Sequence, residues 1–490
     1  MRAALFLFAA AVIGNSHPQA DENVKIKVHG QGWSDVGRIM HVTDTLVNNL
    51  NGNWQQSAGA QFTANALIGE DWEGAFGFGG YQIYSSLGTS GDARLARTAL
   101  QNFITESRMT YSHGGRENPA FTLTFGNFPF EYNKDSKNLG SYLLRGPVYP
   151  GFLMGGFKDF KIDSTKGNIL GINLHQAIGN FSHDIIFADE RELPPTGDWS
   201  AAYLAKYKAF SALEIGGGVN FYRALPNKKD LTTPSSRFYS VNSNDSALLH
   251  DGLPHNRYDF QYIEVDTVTH DTVFYTHKGI KLMGMFSLDL KPLFGISSLG
   301  HEDLKLYGEA AILGVKNYGS VYHDIYQRIP WTLGFNLPTW GLLNYLSVEV
   351  EWYGAKYRND LSKLGNFNTL GGGIFAAIPN NPALIPSPIP TSYRNYNTLS
   401  DDGKYLSASG DSVSVRGTAL DVQNLTQDNW KWSLYMQKDI LNHIRFIGQV
   451  ANDHFRPRPT AGLIQEAGGS AEAFSSMKDW YWMFRVGYYF

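Results

Sequence analysis

Glu349 and Glu351 stand two positions apart in a run of alternating residues. On a strand, positions i and i+2 share a face and lie about 7 Å apart. At that spacing one carboxyl could donate a proton and the other accept it. Such work also needs a nucleophile or a metal beside the pair, and the sequence offers neither in an evident set. His175 and His183 flank a tight turn at Gly179-Asn180 and are placed to meet across it, yet a metal site needs more ligands than two histidines. Gly410-Asp411-Ser412 has the residue types of a serine nucleophile, but it lies in a loop without a strand before it or a helix after it. Gly216-Gly217-Gly218 lacks the setting of a phosphate loop, and on a strand it is better read as room for curvature or for a large neighbour. The expectation is that the chain is not an enzyme and holds no cofactor and no metal.

The other charges are more orderly. Glu106, Arg108, Lys206, Lys208, Glu214, Lys431, Arg445 and Arg485 all fall in segments where apolar and polar residues alternate, and each sits on the polar side. Period two is the mark of a strand with two unlike faces. The elements that position these charges are therefore strands, and many of them. The composition agrees: the 490 residues carry 14% aromatics, 51 Gly, no Cys and a net charge of −4. Without Cys there are no disulfides and no thiolate chemistry, and the near-neutral charge gives no hint of nucleic-acid binding.

Taken in order, residues 1–20 read as a secretory signal peptide. Arg2 precedes a short apolar run, Ala3 to Ile13, too short to span a bilayer as a helix. Residues 24–33 alternate as a first strand, and 34–56 read as a long polar loop. Strands follow at 57–69, 72–84, 101–112, 120–127, 168–178, 181–189, 199–210, 213–221, 272–290, 303–316, 329–337, 345–354, 429–438 and 442–452. Faces are ambiguous at 181–189 and 303–316. A β-ribbon is expected near 258–268. Short turns fall at 69–71, 113–118, 179–180, 211, 291–302, 338–344 and 439. Long connections fall between them, the longest at 356–428. Residues 480–490 close the series: Trp480, Trp482, Phe484, Val486, Tyr488 and Phe490 share one apolar face, and Arg485 lies on the other.

This last strand resembles the C-terminal signature strand of Gram-negative outer-membrane β-barrels, which commonly end in Phe. The whole mature chain is porin-like in architecture: about 16 strands, short turns alternating with long loops, and an export signal. The resemblance matches no one porin family. It implies an all-β transmembrane antiparallel barrel over residues 21–490, with short periplasmic turns and long outer loops. In a bilayer every backbone N–H and C=O needs a partner, and a closed barrel meets that demand because it has no edge.

What the resemblance implies for function is an outer-membrane channel for passive diffusion of small hydrophilic solutes. Glu106, Arg108, Arg145, Glu349, Glu351, Arg445 and Arg485 are the candidates to line or narrow the pore, where opposing charges would set a transverse field. Trp482, Phe484, Val486, Tyr488 and Phe490 would be read by the barrel-assembly machinery. Membrane lipid is the other expected partner, and a homo-oligomer is compatible with the reading. The alternative is a surface-exposed barrel whose long outer loops bind polysaccharide or a protein. Ten tryptophans, Trp33 among them, fall near strand ends as interfacial girdles would. Residues 128–167 hold enough aromatics, Tyr132 and Tyr142 included, either to pack inward, with Arg145 facing the channel near Glu106, or to form an external loop packed on its neighbours.

Overall fold

The structure, a computed structural model, describes residues 24–43, 51–52, 54–85, 96–97, 101–140, 142, 167–189, 199–225, 262–265, 272–275, 279–312, 314–315, 325–352, 404–406, 412–414, 430–441, 443–453, 474 and 476–490. Sixteen strands form one closed antiparallel barrel. They are β1 (Val24–His41), β2 (Trp54–Ile68), β3 (Trp72–Ser85), β4 (Gln101–His113), β5 (Phe121–Phe130), β6 (Gly167–Ile178), β7 (Phe181–Asp189) and β8 (Trp199–Phe210). The circuit continues with β9 (Leu213–Leu225), β10 (Gly279–Asp289), β11 (Lys305–Ile312), β12 (Trp331–Leu337), β13 (Tyr345–Trp352), β14 (Trp430–Ile440), β15 (Ile444–Asn452) and β16 (Trp480–Tyr489). A two-residue strand, Ala96–Arg97, extends the sheet beside the end of β3. Two short ribbons stand apart from the barrel: Tyr262–Val265 with Thr272–Tyr275, and Lys404–Leu406 with Ser412–Ser414.

Closure is direct. β1 pairs with β2 along its length and with β16 from Gln31 opposite Tyr489 to Ile39 opposite Tyr481. Gly30 and Phe490 then exchange backbone hydrogen bonds of 2.9 and 3.0 Å. The sequence reading of 34–56 as a loop is corrected here, because β1 runs on to His41. Its polar residues belong to a strand whose inner face is wet: Asp35 points into the barrel, while Arg38 points out and stacks on Trp54 at 5.3 Å.

The connections sort by length. Turns at 69–71, 114–120, 179–180, 211–212, 290–304, 338–344 and 441–443 lie at one end, and the long connections lie at the other. Gly179 adopts φ 59°, the left-handed conformation a two-residue hairpin requires at its first position. That turn sets its register, and the register parts the two histidines. His175 lies opposite Asp184 with 3.0 Å between Nδ1 and Oδ1, while His183 lies opposite Gln176 on the other face. The expectation that they meet is therefore corrected.

Burial is inverted relative to a soluble sheet protein. Outward positions such as Phe62, Phe76, Phe125, Ile172, Ile215, Leu333, Val348 and Phe484 are exposed, whereas Asp35, Lys281, Glu309, Glu349, Glu351, Lys431 and Arg485 are buried inside. Trp331, Trp352 and Trp430 lie in one cross-strand row at the long-loop end, and Trp54 meets Trp482 edge-on there at 5.7 Å. Trp72, Tyr111 and Phe121 cluster at the short-turn end. Trp33 is the exception: it points inward and rests over Gly59, where a Cβ would come within 2.3 Å of its ring. An apolar outer wall between two aromatic rings is the surface a bilayer requires of a barrel.

The ring of Phe490 sits outside the wall in the space left by Gly30, 5.7 Å from Phe62. A Cβ at Gly30 would fall 2.7 Å from that ring and 2.9 Å from the Gln61 carbonyl oxygen. Backbone cannot yield cheaply there. Gly30→Val should therefore lower the folded, heat-modifiable fraction of the protein in vesicles. A variant that folds as fully as the parent would show that this seat is dispensable.

Candidate functional site

The third long connection enters the barrel instead of leaving it. After Phe130 the chain lies inside the wall through residues 131–140 and again at Tyr142. Its first anchor is Tyr132, whose hydroxyl lies within hydrogen-bond distance of the Ala205 and Gly217 carbonyl oxygens, at 2.8 and 3.0 Å. Lys206 donates to the Tyr132 carbonyl and stands 4.8 Å from the centre of its ring. Gly216 makes the room, since a Cβ there would meet the Tyr132 hydroxyl at 2.5 Å. The glycine run of β9 is thus a seat for a large neighbour. Burial, joined by the fields of Glu309, Asp184 and Glu214, pushes the Tyr132 hydroxyl well above the ordinary tyrosine range, so it stays a neutral donor.

Further along, Ser287 donates to Asp135 at 2.5 Å, and Lys305 faces the same carboxylate at 3.6 Å. The densest anchor comes next. The Glu349 carboxylate accepts three consecutive backbone N–H groups, from Lys137 at 2.5 Å and from Asn138 and Leu139 at 2.9 Å each. The Tyr307 hydroxyl adds a fourth bond at 2.9 Å. Charge-assisted bonds of this kind are each worth about 1.5–3 kcal/mol. Asn138 also donates to Ser433 at 3.1 Å and to Asp453 at 2.8 Å. Tyr142 donates to Glu351 at 2.8 Å and shares a hydrogen bond with Thr332. The segment is a strap that follows the inner wall from β8 to β14.

Two apolar clusters accompany it. Phe128, Tyr132 and Tyr142 cover Ile169, Ile186, Leu204, Met283 and Met285 on the walls of β6 to β10. Phe474, from the last long connection, covers Tyr435, Ile447, Ala451, Tyr481 and Met483 on β14 to β16. Lys431 donates to the Phe474 carbonyl at 2.9 Å. Asp453, just after β15, accepts from Asn138 of the strap and from Tyr481 on β16. The wall of β2 to β4 and the first part of β5 carries neither cluster; Phe128 and Phe130, at the other end of β5, belong to the first. Apart from Leu67 and Tyr81, the inward residues of that wall are mostly small or polar: Gly59, Gln61, Thr63, Asn65, Glu73, Ala75, Gly77, Glu106, Arg108, Thr110, Thr122 and Thr124.

The residues singled out by sequence divide accordingly. Glu106 and Arg108 lie together on the uncovered wall, where Arg108 reaches Glu106 at 3.0 Å and Glu73 at 2.8 Å. Glu349 and Glu351 point inward and are buried beneath the strap. Arg445 makes two bonds to Asp439 near the short-turn end, at 2.8 and 3.1 Å. Arg485 is buried against Asp35 across the closing seam. Arg145 lies outside the described residues, as do residues 1–20, most of the connection at 356–428, and Gly410 and Asp411. Trp482, Phe484, Val486, Tyr488 and Phe490 all face outward on β16 or beside it. Sequence reasoning did not single out Asn138, Tyr307 or Asp453. Nothing in a linear pattern reports that a carboxylate will bond to backbone N–H groups some 210 residues away.

Sixteen antiparallel strands, sorted turns and an inserted third long connection give the molecule its type. It is a porin-like barrel. No family model and no curated protein matches the chain. Solved structures that overlap it include Salmonella typhi OmpF in complex with daunomycin, with 9% identity, 96% of this chain and 98% of that one covered, and a TM-score of 0.42. A double mutant of the Rh. blastica porin overlaps at 7% identity, covering 95% of this chain and all of the other (100%), with a TM-score of 0.39.

Proposed function

We propose that the protein is an outer-membrane channel through which small hydrophilic solutes diffuse passively, and that it carries out no catalysis. The observation that supports this reading is the division of the interior. The strap and Phe474 occupy the walls from the Phe128 end of β5 round to β16, and the mostly small and polar residues of β2 to β4 and the first part of β5 face what they leave. A strap fixed by Glu349 on one side of a barrel narrows a passage without the moving parts that energy coupling would need. The long connections face outward from the cell in this reading, and the signal peptide directs export.

The test is a planar-bilayer recording on purified, folded full-length mature protein. Stepwise openings are expected, with conductance linear in voltage at low potentials. Folded protein that inserts and stays electrically silent, and that fails to pass small sugars into liposomes, would overturn the proposal.

A further inference from the structure

We infer that the channel favours uncharged polar solutes and discriminates only weakly between cations and anions. This rests on the channel reading above. The observation behind it is how charge is arranged inside the barrel. A pore that sorts ions by a transverse field keeps its acids and bases on facing walls. Here, among the described residues, acid and base are paired locally, mostly on neighbouring strands. Arg108 on β4 is held by Glu73 on β3 at 2.8 Å and by Glu106 at 3.0 Å. Arg485 on β16 is held by Asp35 on β1 at 2.7 Å, and Arg445 on β15 by Asp439 on β14 at 2.8 Å. Lys206 on β8 lies 3.8 Å from Glu214 on β9. His175 on β6 meets Asp184 on β7 at 3.0 Å. Lys305 meets Glu302 at 2.9 Å and Asp135 of the strap at 3.6 Å.

A charge and its counter-charge about 3 Å apart act at a distance as a small dipole, and at physiological salt the residue of that field is screened within about 8 Å. The buried inner charges outside these pairs include Glu309, Glu349, Glu351 and Asp453 on the acidic side and Lys281 and Lys431 on the basic side; Glu349 is covered by strap N–H groups and Glu351 by Tyr142. The strap brings two acids and two bases to its described length, Glu131 and Asp135 with Lys134 and Lys137. Lys208 adds a positive charge toward the short-turn end, and Lys25 and Lys27 add two more at the mouth of β1, where the barrel is open to bulk solvent. Beside the cluster of Arg108 with Glu73 and Glu106, which leaves one acid in excess, the uncovered wall presents hydroxyls and amides, from Gln61, Thr63, Asn65, Thr122 and Thr124. Those groups can exchange hydrogen bonds with a polyol or sugar as it sheds water, and, being uncharged, they favour neither sign of ion.

The experiment uses the full-length mature protein in planar bilayers under a tenfold KCl gradient, and in liposomes swollen with arabinose, gluconate or glucosamine. The expected permeability ratio of K⁺ to Cl⁻ lies within about threefold of unity, and arabinose enters faster than either charged solute. Arg108→Gln strips Glu73 and Glu106 of their partner, so the ratio should move several-fold toward cations. Glu73→Gln with Glu106→Gln leaves Arg108 alone and should move it toward anions. The opposed signs distinguish a charge effect from a folding defect, which would move both variants the same way. Open channels with a wild-type ratio beyond about tenfold in either direction would overturn this inference and leave the channel reading standing. Normal conductance with both variants unshifted would do the same. Folded protein without conductance or sugar flux would overturn the channel reading, and this inference with it.

Discussion

Replacing Glu349 with Ala should raise single-channel conductance on the order of twofold and make the openings noisy. The carboxylate ties the strap to β13 through three successive N–H groups. Its removal leaves those donors and the Tyr307 hydroxyl without their acceptor. Each orphaned group costs about 1–3 kcal/mol while buried, so the strap gains by leaving the wall and finding water. The barrel itself should survive, because β13 keeps its backbone pairing to β12 and β14. Glu349→Gln retains one acceptor oxygen and should fall between the two. Tyr142→Phe removes the bonds to Thr332 and Glu351 and should raise noise more than conductance. The check is a recording of each variant beside a heat-modifiability gel that confirms folding. Folded Glu349→Ala channels with parental conductance and noise would show that the strap does not bound the passage.

Much of this architecture was legible in the sequence because lipid is a uniform solvent. Trp480, Trp482, Phe484, Val486, Tyr488 and Phe490 read as one face since nothing on that side asks for a polar group. The inner face has no such rule. Ile186 and Ala188 point inward, so β7 looked apolar on both sides, and its faces could be assigned only once the cluster of Phe128, Tyr132 and Tyr142 was seen to cover them. Residues 34–41 looked like loop because Asp35 answers to Arg485, a residue 450 positions away. The inward packing of residues 131–140 was one of two placements that the aromatics of residues 128–167 left open. The anchor was not legible, because its donors are backbone groups with no sequence signature. The paired histidines failed for a simpler reason: a two-residue turn places His175 and His183 on opposite faces.

Breaking the pair between Asp35 and Arg485 should have the largest effect on assembly. Both side chains are almost wholly buried, at 1% and 4% exposure, and they join the first and last strands of the barrel. Arg485 donates to one Asp35 oxygen at 2.7 and 3.2 Å, and the Ser57 amide and hydroxyl donate to the other at 2.8 and 2.7 Å. Removing one partner of such a pair leaves a lone buried charge and costs about 3–5 kcal/mol. The position matters as much as the energy. A slip of one residue along the seam would turn the apolar face of β16 inward and is excluded by lipid. A slip of two residues would not, because every outward side chain stays outward. It would place Asp35 opposite Met483 or Gly487 instead of Arg485. The ion pair is therefore what separates the native closure from its nearest rivals, together with the seat of Phe490 over Gly30. Arg485→Ala and Asp35→Ala should each cut the folded fraction sharply in refolding from urea into vesicles. The double substitution should cost less than the two single costs added together, with a coupling of about 1–3 kcal/mol. Strict additivity would show that the two charges act independently and that closure is set elsewhere along the seam.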